Sequence, residues 1–194
     1  MKYTHHKGAS IFLDRITGKK NWSLKCSRRA KYMRLRVQPG GAVVLTVPVA
    51  TTRSVVDEFL RARARWLADA VKRMMQFQVL PVSGRRDYFR HKENARAFIE
   101  ERIAHWNQFY KFPHGRIAIK NTRRTWGSCS AKRNLNFSYK LLFLPREIAD
   151  YVVVHELCHH KEHNHGRAFW ALVALVLPNY LTLRLELKRY VPRG

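Results

Sequence analysis

The centre of the predicted fold is one helix, whose sequence is Arg146-Glu-Ile-Ala-Asp-Tyr-Val-Val-Val-His-Glu-Leu-Cys-His159. Pro145 precedes it, at a position where the first turn of a helix tolerates proline. The residues up to Val154 are mostly apolar, which predicts a buried helix that continues to His160. A HExxH motif lies well inside this predicted helix. Unpaired histidines would be costly in such surroundings, so the motif favours a bound metal.

The spacing of the motif brings two imidazoles to one side of the helix. His155 and His159 are four residues apart, so their side chains project within about 40° of each other, one turn apart. Both can therefore reach one metal ion. Glu156 is rotated from His155 by about 100° and would act as a base instead of a ligand. Its carboxylate can take a proton from a zinc-bound water, whose pKa the metal lowers toward about 7, and pass it to a leaving amine.

A catalytic zinc ion takes three protein ligands and keeps one position for water. A third ligand on the same helix would lie in line with the first two and could not complete a tetrahedron. The chain after the motif breaks at Asn164 and Gly166, which lets it turn and present a ligand from a new direction. His165 satisfies this geometry best. His163 is the chief alternative, and His160 points about 100° away from the ligand side of the helix.

The composition indicates a folded protein with an unusual charge. The chain has 194 residues, 46% of them hydrophobic, and a formal net charge of +25. Such a field favours polyanions, anionic membrane surfaces or acidic substrates. The favoured explanation is a solvated basic surface with some nonspecific affinity for nucleic acids. No helix-turn-helix and no RNA-binding aromatic motif is evident.

Several features predict a cytoplasmic protein without a membrane span. No stretch approaches the roughly 20 apolar residues that a span needs, and no signal peptide is visible. Cys26, Cys129 and Cys158 are widely spaced and odd in number. They form neither a disulfide framework nor a CxxC zinc site, which favours free thiols in a reducing compartment.

The N-terminal part predicts a β-hairpin followed by a helix. The pattern is β-like from Ile11 to Pro48, and residues 32–37 and 42–47 form a hairpin around Gly40-Gly41. A helix follows from Thr51 or Thr52 to about residue 75. Residues 77–92 contain proline, glycine and arginines and are the predicted junction. We therefore expect an N-terminal hairpin and helix subdomain over residues 1–85 and a second domain over residues 86–194.

The C-terminal part predicts alternating helices and strands around the HExxH helix. Residues 181–187 alternate in a way that suits a strand, but their composition suits a helix equally. The other predicted elements are a helix at 92–110, strands at 116–120, 122–130 and 134–140 with a turn at 130–134, and a helix at 167–177.

Several motifs occur together in this part of the chain. They are Trp126-Gly-Ser-Cys-Ser130, Asn134-Leu-Asn-Phe137, Pro145, Val152-Val-Val-His-Glu-Leu-Cys-His159, Asn164-His-Gly166 and Phe169-Trp170. In this combination the chain resembles the YgjP-like metal-dependent hydrolases, which are related to the SprT and WLM groups of zincin metallopeptidases. The resemblance extends to residues 28–48 and Trp66, and so spans most of the chain.

The resemblance implies an α+β fold with a zincin-like metallopeptidase core, in which a small mixed sheet packs on the active-site helix. The N-terminal β-hairpin and helix would precede this core. It also implies one zinc ion held by His155, His159 and His165, with Glu156 as catalytic base. One departure is Gly166, where many relatives are expected to have serine. The spacing of the histidines equals that of the metzincins, but Glu162 replaces their glycine and no methionine follows residue 75.

The stretch Trp126–Ser130 has two interpretations. It can be a strand that borders the cleft and aligns an extended substrate by backbone pairing. Alternatively, its glycine lets Trp126 pack against the active-site helix. Ser128 has no base assigned to it and is a poor candidate nucleophile.

The leading functional hypothesis is a zinc-dependent hydrolase that cleaves peptide bonds in peptide or protein substrates. Tyr139 and Tyr151 are candidate donors to the oxyanion. A second hypothesis keeps the metal and changes the substrate to a phosphate ester or nucleotide, which the positive charge makes reasonable. A third is a nucleic-acid-associated protein, either a protease of the SprT type or a protein with structural zinc.

Overall fold

The structure, a computed structural model, describes residues 7–17 and 21–191, with side chains described from residue 12 onward. The described residues form two compact units, one ending at Gln78 and one beginning at Val79. Each unit has its own cluster of buried apolar side chains. The boundary between residues 85 and 86, predicted between an N-terminal subdomain and a second domain, stays a prediction.

The first unit consists of a three-stranded sheet and three helices. Its elements are α1 (Lys7–Thr17), β1 (Trp22–Ser27), β2 (Arg34–Val37), β3 (Val43–Pro48), α2 (Arg53–Ala62) and α3 (Ala64–Met75). The strand order is β1-β3-β2, with β1 parallel and β2 antiparallel to β3. The predicted hairpin is confirmed as β2 and β3. Gly40 and Gly41 in its turn have φ values of 81° and 80°, a region that glycine adopts without steric cost.

The β-like interpretation of the chain from Ile11 is wrong for its first residues, because they belong to α1. Phe12, Leu13 and Ile16 recur at helical spacing, which favours a helix over a strand. Leu13 is fully buried, and Phe12 and Ile16 pack against the same apolar cluster. The spacing of these three residues is too short a pattern to distinguish a helix from a strand by sequence alone. The distinction needs the apolar cluster, which forms only in the folded unit.

The single helix predicted over residues 51–75 is also wrong, since α2 and α3 are separate helices. Arg63 leaves helical geometry, with φ −112° and ψ 9°. Leu60 of α2 and Leu67 of α3 are both buried in one cluster, so the same apolar side continues from one helix to the next. Hydrophobic spacing continues across the break, so the sequence pattern alone does not reveal it.

The second unit contains the HExxH helix. The elements from residue 78 onward are β4 (Gln78–Val79), α4 (Gly84–Tyr110), β5 (Ile117–Lys120), β6 (Gly127–Cys129), β7 (Leu135–Ser138), a 3-10 helix (Tyr139–Phe143), α5 (Arg146–Cys158), α6 (Arg167–Val176), α7 (Tyr180–Leu187) and β8 (Tyr190–Val191). Three strands form a mixed sheet of order β5-β7-β6, and β4 pairs with β8. The predicted α+β class, with a small mixed sheet beside the active-site helix, is confirmed.

Three boundaries in this unit differ from the predictions. α4 begins at Gly84 and not near Lys92, and the side chain of Asp87 in its first turn accepts a hydrogen bond from the Ser83 N–H at 2.8 Å. The predicted strand at 122–130 is reduced to β6. The tail, which the sequence left open between strand and helix, forms α7.

Among the described residues, no single helix is long and apolar enough to cross a membrane. The helices α6 and α7 have the necessary length and apolarity only when taken together, and the pair is bent by 99°.

A buried ion pair connects α5 to the long helix α4. The Arg102 guanidinium donates two hydrogen bonds to the Asp150 carboxylate, at 2.5 and 2.9 Å. The side chains are only 5% and 9% exposed. Hydrogen bonding to Asp150 is the main reason that the pKa of Arg102 is raised. Since Asp150 lies five residues before His155, this pair holds the helix that carries the HExxH motif.

Candidate metal centre

The HExxH motif lies at the C-terminal end of α5 and not well inside a helix, which corrects the sequence-based expectation. α5 ends at Cys158, and His159 follows as its cap with φ −65° and ψ −12°. The chain then turns, and the Glu162 N–H donates to the Cys158 carbonyl at 3.0 Å. This early turn brings His165, just before α6, back to the end of the helix.

The imidazoles of His155, His159 and His165 converge. The Nε2 atom of His155 lies 3.2 Å from Nε2 of His159 and 3.0 Å from Nε2 of His165. One ligand atom from each of the three residues lies within 4.8 Å of the others. Among the described residues, this is the group that could hold a metal ion, and it includes neither His160 nor His163. His163 is exposed in the turn, whereas His160 is buried.

The chemistry of these nitrogens fits a metal cation. Nδ1 of His159 lies 2.9 Å from the Glu162 carbonyl oxygen. A carbonyl only accepts, so Nδ1 carries the proton and Nε2 presents a lone pair. Nitrogen ligands at about 2.0–2.1 Å from a tetrahedral zinc ion lie about 3.3 Å apart, close to the separations here. A cation between the lone pairs removes the repulsion that they would otherwise have at this distance.

Burial keeps His155 neutral and able to ligate. Desolvation is the main cause that lowers its pKa to about 3, and the neighbouring charges of His159, His165 and Arg184 act in the same direction. Its Nδ1 is buried without a hydrogen-bond partner among the described atoms. Desolvation also lowers the pKa of His159. A neutral imidazole is the form that binds a metal, so no proton has to be displaced near pH 7.

Phe169 forms an apolar wall against the three histidines. The centroid of its ring lies 4.9, 4.6 and 4.7 Å from those of His155, His159 and His165. Phe169 is fully buried, and the next residue, Trp170, stacks on His165 at 5.7 Å. The sequence indicated Phe169 as part of a family motif, without its position beside the histidines. Its position fixes the ring planes and restricts the motion of the imidazoles.

Glu156 lies beside the histidines in a dry environment. It is 6% exposed. Burial raises its pKa to about 8, although the backbone N–H of Cys129 donates to it and acts in the opposite direction. A carboxylate with such a pKa can accept and release a proton near neutral pH.

Gly127 makes room for this glutamate. A Cβ atom on Gly127 would lie 2.7 Å from both Cγ and Oε1 of Glu156. At these distances, any side chain at position 127 would displace the Glu156 side chain. Of the two interpretations of Trp126–Ser130, neither included a contact between its glycine and Glu156, and both stay predictions. The sequence shows a glycine at this position, but it does not show which side chain the glycine contacts.

A cavity of about 210 Å³ lies beside the catalytic candidates. Tyr151, one turn before His155, lines it, and burial is the main cause that raises the pKa of this tyrosine. Tyr139 packs elsewhere, against Tyr88 and Phe143, and its hydroxyl group is buried. The other lining residues are Thr125, Trp126, Gly127, Val152, His155, Glu156 and Leu187.

Cys158 does not take part in the cluster of histidines. It is fully buried, and its Sγ lies 3.6 Å from the Tyr110 hydroxyl oxygen. Burial is the main cause that raises the pKa of this thiol to about 11. The thiol is therefore protonated at neutral pH and is a poor metal ligand.

Fold and sequence together define the class of the protein as a metal-dependent hydrolase. Residues 84–190 match the YgjP-like family over its metallopeptidase domain. The match spans more than half of the chain, and the chain belongs to this family. The family's domain contains all the candidate residues described above, whereas the sheet of the first unit lies outside it.

Solved structures of archaeal metallopeptidases show a weaker likeness. The zymogen of abylysin from Pyrococcus abyssi is 22% identical, with 48% of this chain and 98% of that chain covered and a TM-score of 0.42. The zymogen of jannalysin from Methanocaldococcus jannaschii is 24% identical, with 46% and 91% covered and a TM-score of 0.41. A comparison with curated proteins gives no match.

Proposed function

We propose that the protein cleaves peptide bonds, with one zinc ion held by His155, His159 and His165 and with Glu156 as general base. The observation that carries this proposal is the convergence of three Nε2 atoms beside a buried carboxylate. Membership of a family with a metallopeptidase domain supports it. When bound, zinc would supply a Lewis acid that polarises a carbonyl group and lowers the pKa of water.

The residues of the chain have separate roles in this proposal. Neutral imidazoles provide the ligands, and the Glu162 carbonyl orients His159 through Nδ1. Glu156 removes a proton from the attacking water and delivers it to the leaving amine. Gly127 and the Cys129 N–H hold its carboxylate in position. Tyr151, which lines the cavity, donates to the developing oxyanion.

β6 is the proposed site for the substrate backbone. Among the strands of the described residues, it is an edge strand, with β7 on one side and no second neighbour. Ser128 in its middle is exposed. An extended peptide can add to such an edge by main-chain hydrogen bonds. Because the same strand contacts Glu156 through Gly127, a peptide bound there would lie beside the general base.

The cysteines support a reducing compartment such as the cytoplasm for this activity. All three are free, and Cys26 is exposed. Disulfides form and persist in oxidising compartments, whereas exposed free thiols are usual in reducing ones. Measurement of free thiols in protein isolated from cells under acid quench tests this assignment, and oxidised Cys26 would contradict it.

The proposal is tested by metal content and peptide turnover measured on the same preparations. Elemental analysis of the purified full chain should give one zinc per molecule. His165→Ala should lose the metal, and His163→Ala is the matched control that should keep it. Glu156→Gln should keep the zinc and lose turnover of a casein-derived peptide mixture by at least about 10³-fold.

The outcomes separate this proposal from the alternatives. Loss of zinc in His163→Ala, with retention in His165→Ala, would overturn the ligand assignment. Zinc-dependent turnover of a nucleoside triphosphate or a phosphate ester, without peptide cleavage, would show that the same residues catalyse phosphoester hydrolysis instead. Full turnover by Glu156→Gln would exclude the glutamate as base.

A further inference from the structure

The sheet of the first unit lies in the most one-sidedly charged part of the chain. Residues 15–56 contain ten Lys or Arg residues and no Asp or Glu, and they are flanked by Asp14 and Asp57. The unit lies outside residues 84–190, which contain the metallopeptidase domain. The metal centre does not explain this concentration of charge.

Strand pairing arranges some of these cations on one face of the sheet. Lys25 of β1 and Arg34 of β2 both pair with Thr46 of β3, so the three residues form a row across the sheet. Arg36 lies in the next row, opposite Val44. Alternation along the strands puts all these side chains on the same face. Lys25, Arg34 and Arg36 are all exposed.

The opposite face of the sheet is closed. Val43, Leu45 and Val47 of β3 are buried, and they form one apolar cluster with side chains of α1, α2 and α3. The row Leu24–Leu45–Leu35 belongs to this face by the same pairing. The helices of the unit therefore leave the cationic face uncovered.

The loop between β1 and β2 extends the cationic face. It contributes Arg28, Arg29 and Lys31, all exposed, and Tyr32, which is 82% exposed. A groove of about 490 Å³ runs between this loop and the sheet, and Arg29, Tyr32 and Arg34 contribute to its lining. We name this surface the basic sheet face. It consists of Lys25, Arg28, Arg29, Lys31, Tyr32, Arg34 and Arg36.

Among the described residues, the cations of the basic sheet face have no counter-charge. None of them forms an ion pair in the part of the chain that the structure describes, whereas Arg53, Arg96, Arg102 and Arg146 do. Six unpaired cations on one surface, three of which line the groove, repel each other, and this destabilises the fold slightly. A polyanion removes this repulsion when it binds.

We propose that the basic sheet face binds single-stranded nucleic acid. The guanidinium groups match phosphate geometry, and a chain of phosphates provides the repeated charge that spaced cations require. Tyr32 offers an exposed ring on which a base can stack. The faces of bases are free for such stacking only in a single strand, because a duplex stacks them on each other.

Anionic membrane surfaces fit less well, because they select basic surfaces with several large apolar side chains for insertion. Tyr32 is the large apolar side chain that is exposed among the described residues of this face.

The proposal is independent of the peptidase activity. It can be tested on the full chain in the presence of a chelator, because a chelator removes any metal ion that could itself bind phosphate. Anisotropy of a labelled oligodeoxythymidine of about 20 nucleotides gives the affinity as a function of salt. The triple variant Lys25→Gln, Arg34→Gln, Arg36→Gln is compared with Arg61→Gln, Arg65→Gln, Lys72→Gln. The second set removes the same charge from exposed positions on α2 and α3.

The triple variant of the basic sheet face should bind at least about tenfold more weakly and reduce the slope of log K against log salt by about 2. The helix variant should change the affinity by less than about threefold. Tyr32→Ala should weaken binding, and Tyr32→Phe should restore it. Equal losses in both triple variants would show an effect of net charge alone and overturn the proposal.

Competition experiments test whether the ligand is a single strand, a duplex or an anionic membrane. An unlabelled duplex of the same length should compete poorly with the labelled single strand. Equal competition by duplex, or no effect of Tyr32→Ala, would overturn the assignment to single strands. Binding to phosphatidylserine vesicles that depends on Lys25, Arg34 and Arg36, without binding of the oligonucleotide, would assign the face to membranes and overturn the proposal.

Discussion

The α-carbon of Gly127 lies against the side chain of Glu156, so the strand β6 and the helix α5 meet at the proposed general base. A Cβ atom at position 127 would lie 2.9 Å from Cδ of Glu156 and closer still to Cγ and Oε1. Through this contact, the edge strand determines where the carboxylate points. The position of a catalytic carboxylate is decisive, because a shift of about 1 Å can cost about 100-fold in rate.

Gly127→Ala should therefore lower kcat/KM for peptide cleavage by about 100-fold. The methyl group displaces the carboxylate from its place and leaves the histidines intact. Zinc content by elemental analysis should stay at the wild-type level. Gly166→Ala is the matched control, because a Cβ atom there meets nothing within 4 Å although the residue follows His165. A Gly127→Ala enzyme with normal activity would contradict the role of this contact.

Some of this site could be predicted from local sequence and some could not. The convergence of His155 and His159 follows from helical periodicity, and the break at Asn164 and Gly166 favoured His165 over His163 as the proposed third ligand. The contact between Gly127 and Glu156 joins residues that are far apart in the sequence. It depends on the packing of β6 against α5, for which no local pattern exists. The sequence therefore predicts which residue types are present, but not which side chain a glycine accommodates.

The same distinction applies to the fold. The hairpin of β2 and β3 is local, and its alternation and its glycines predict it. The parallel pairing of β1 with β3 and the helical state of residues 7–17 depend on the cluster around Leu13 and Leu45, which forms only in the folded unit. Hydrophobic spacing predicts which side chains are buried, but it does not show the interruption at Arg63, because the apolar pattern continues across it.

Asp150→Asn should destabilise the second unit by about 3 kcal/mol, because it leaves the buried Arg102 guanidinium with only the exposed Glu101 carboxylate as counter-charge. Urea unfolding of the metal-free protein measures the loss as a lower midpoint. The double variant Arg102→Met, Asp150→Leu removes both charges and should be more stable than Asp150→Asn alone. If Asp150→Asn unfolds at the wild-type urea concentration, this pair does not hold α5 on α4.

Tyr151→Phe should reduce kcat for peptide cleavage by about 10²–10³-fold, since an oxyanion donor acts mainly in the transition state. KM and zinc content should change little. Tyr139→Phe removes the same hydroxyl group from a position away from the cavity, where that group is buried without a partner among the described atoms. This control should keep full activity. Equal kcat values for Tyr151→Phe and the wild type would assign oxyanion stabilisation to another group.

The raised pKa of Glu156 predicts how the stability of the metal-free protein depends on pH. In the folded protein its pKa is about 8, against an ordinary value of 4.5. The folded state therefore retains a proton that the unfolded chain releases between these two values. The stability that this group contributes is complete below about pH 4.5 and decreases as the pH rises to 8.

Glu156→Gln removes this titration with little change in shape. The difference in free energy of unfolding, wild type minus variant, should decrease from pH 4.5 to pH 8 and stay constant above it, in chelator-treated protein. His155 has a pKa lowered to about 3 and contributes a loss of stability below pH 6.5, but it is present in both proteins and cancels in the difference. A difference that is independent of pH would show that Glu156 is ionised in the folded protein throughout this range. The carboxylate would then be hydrated, and the dry environment formed by β6 and α5 would not be the reason for its reactivity.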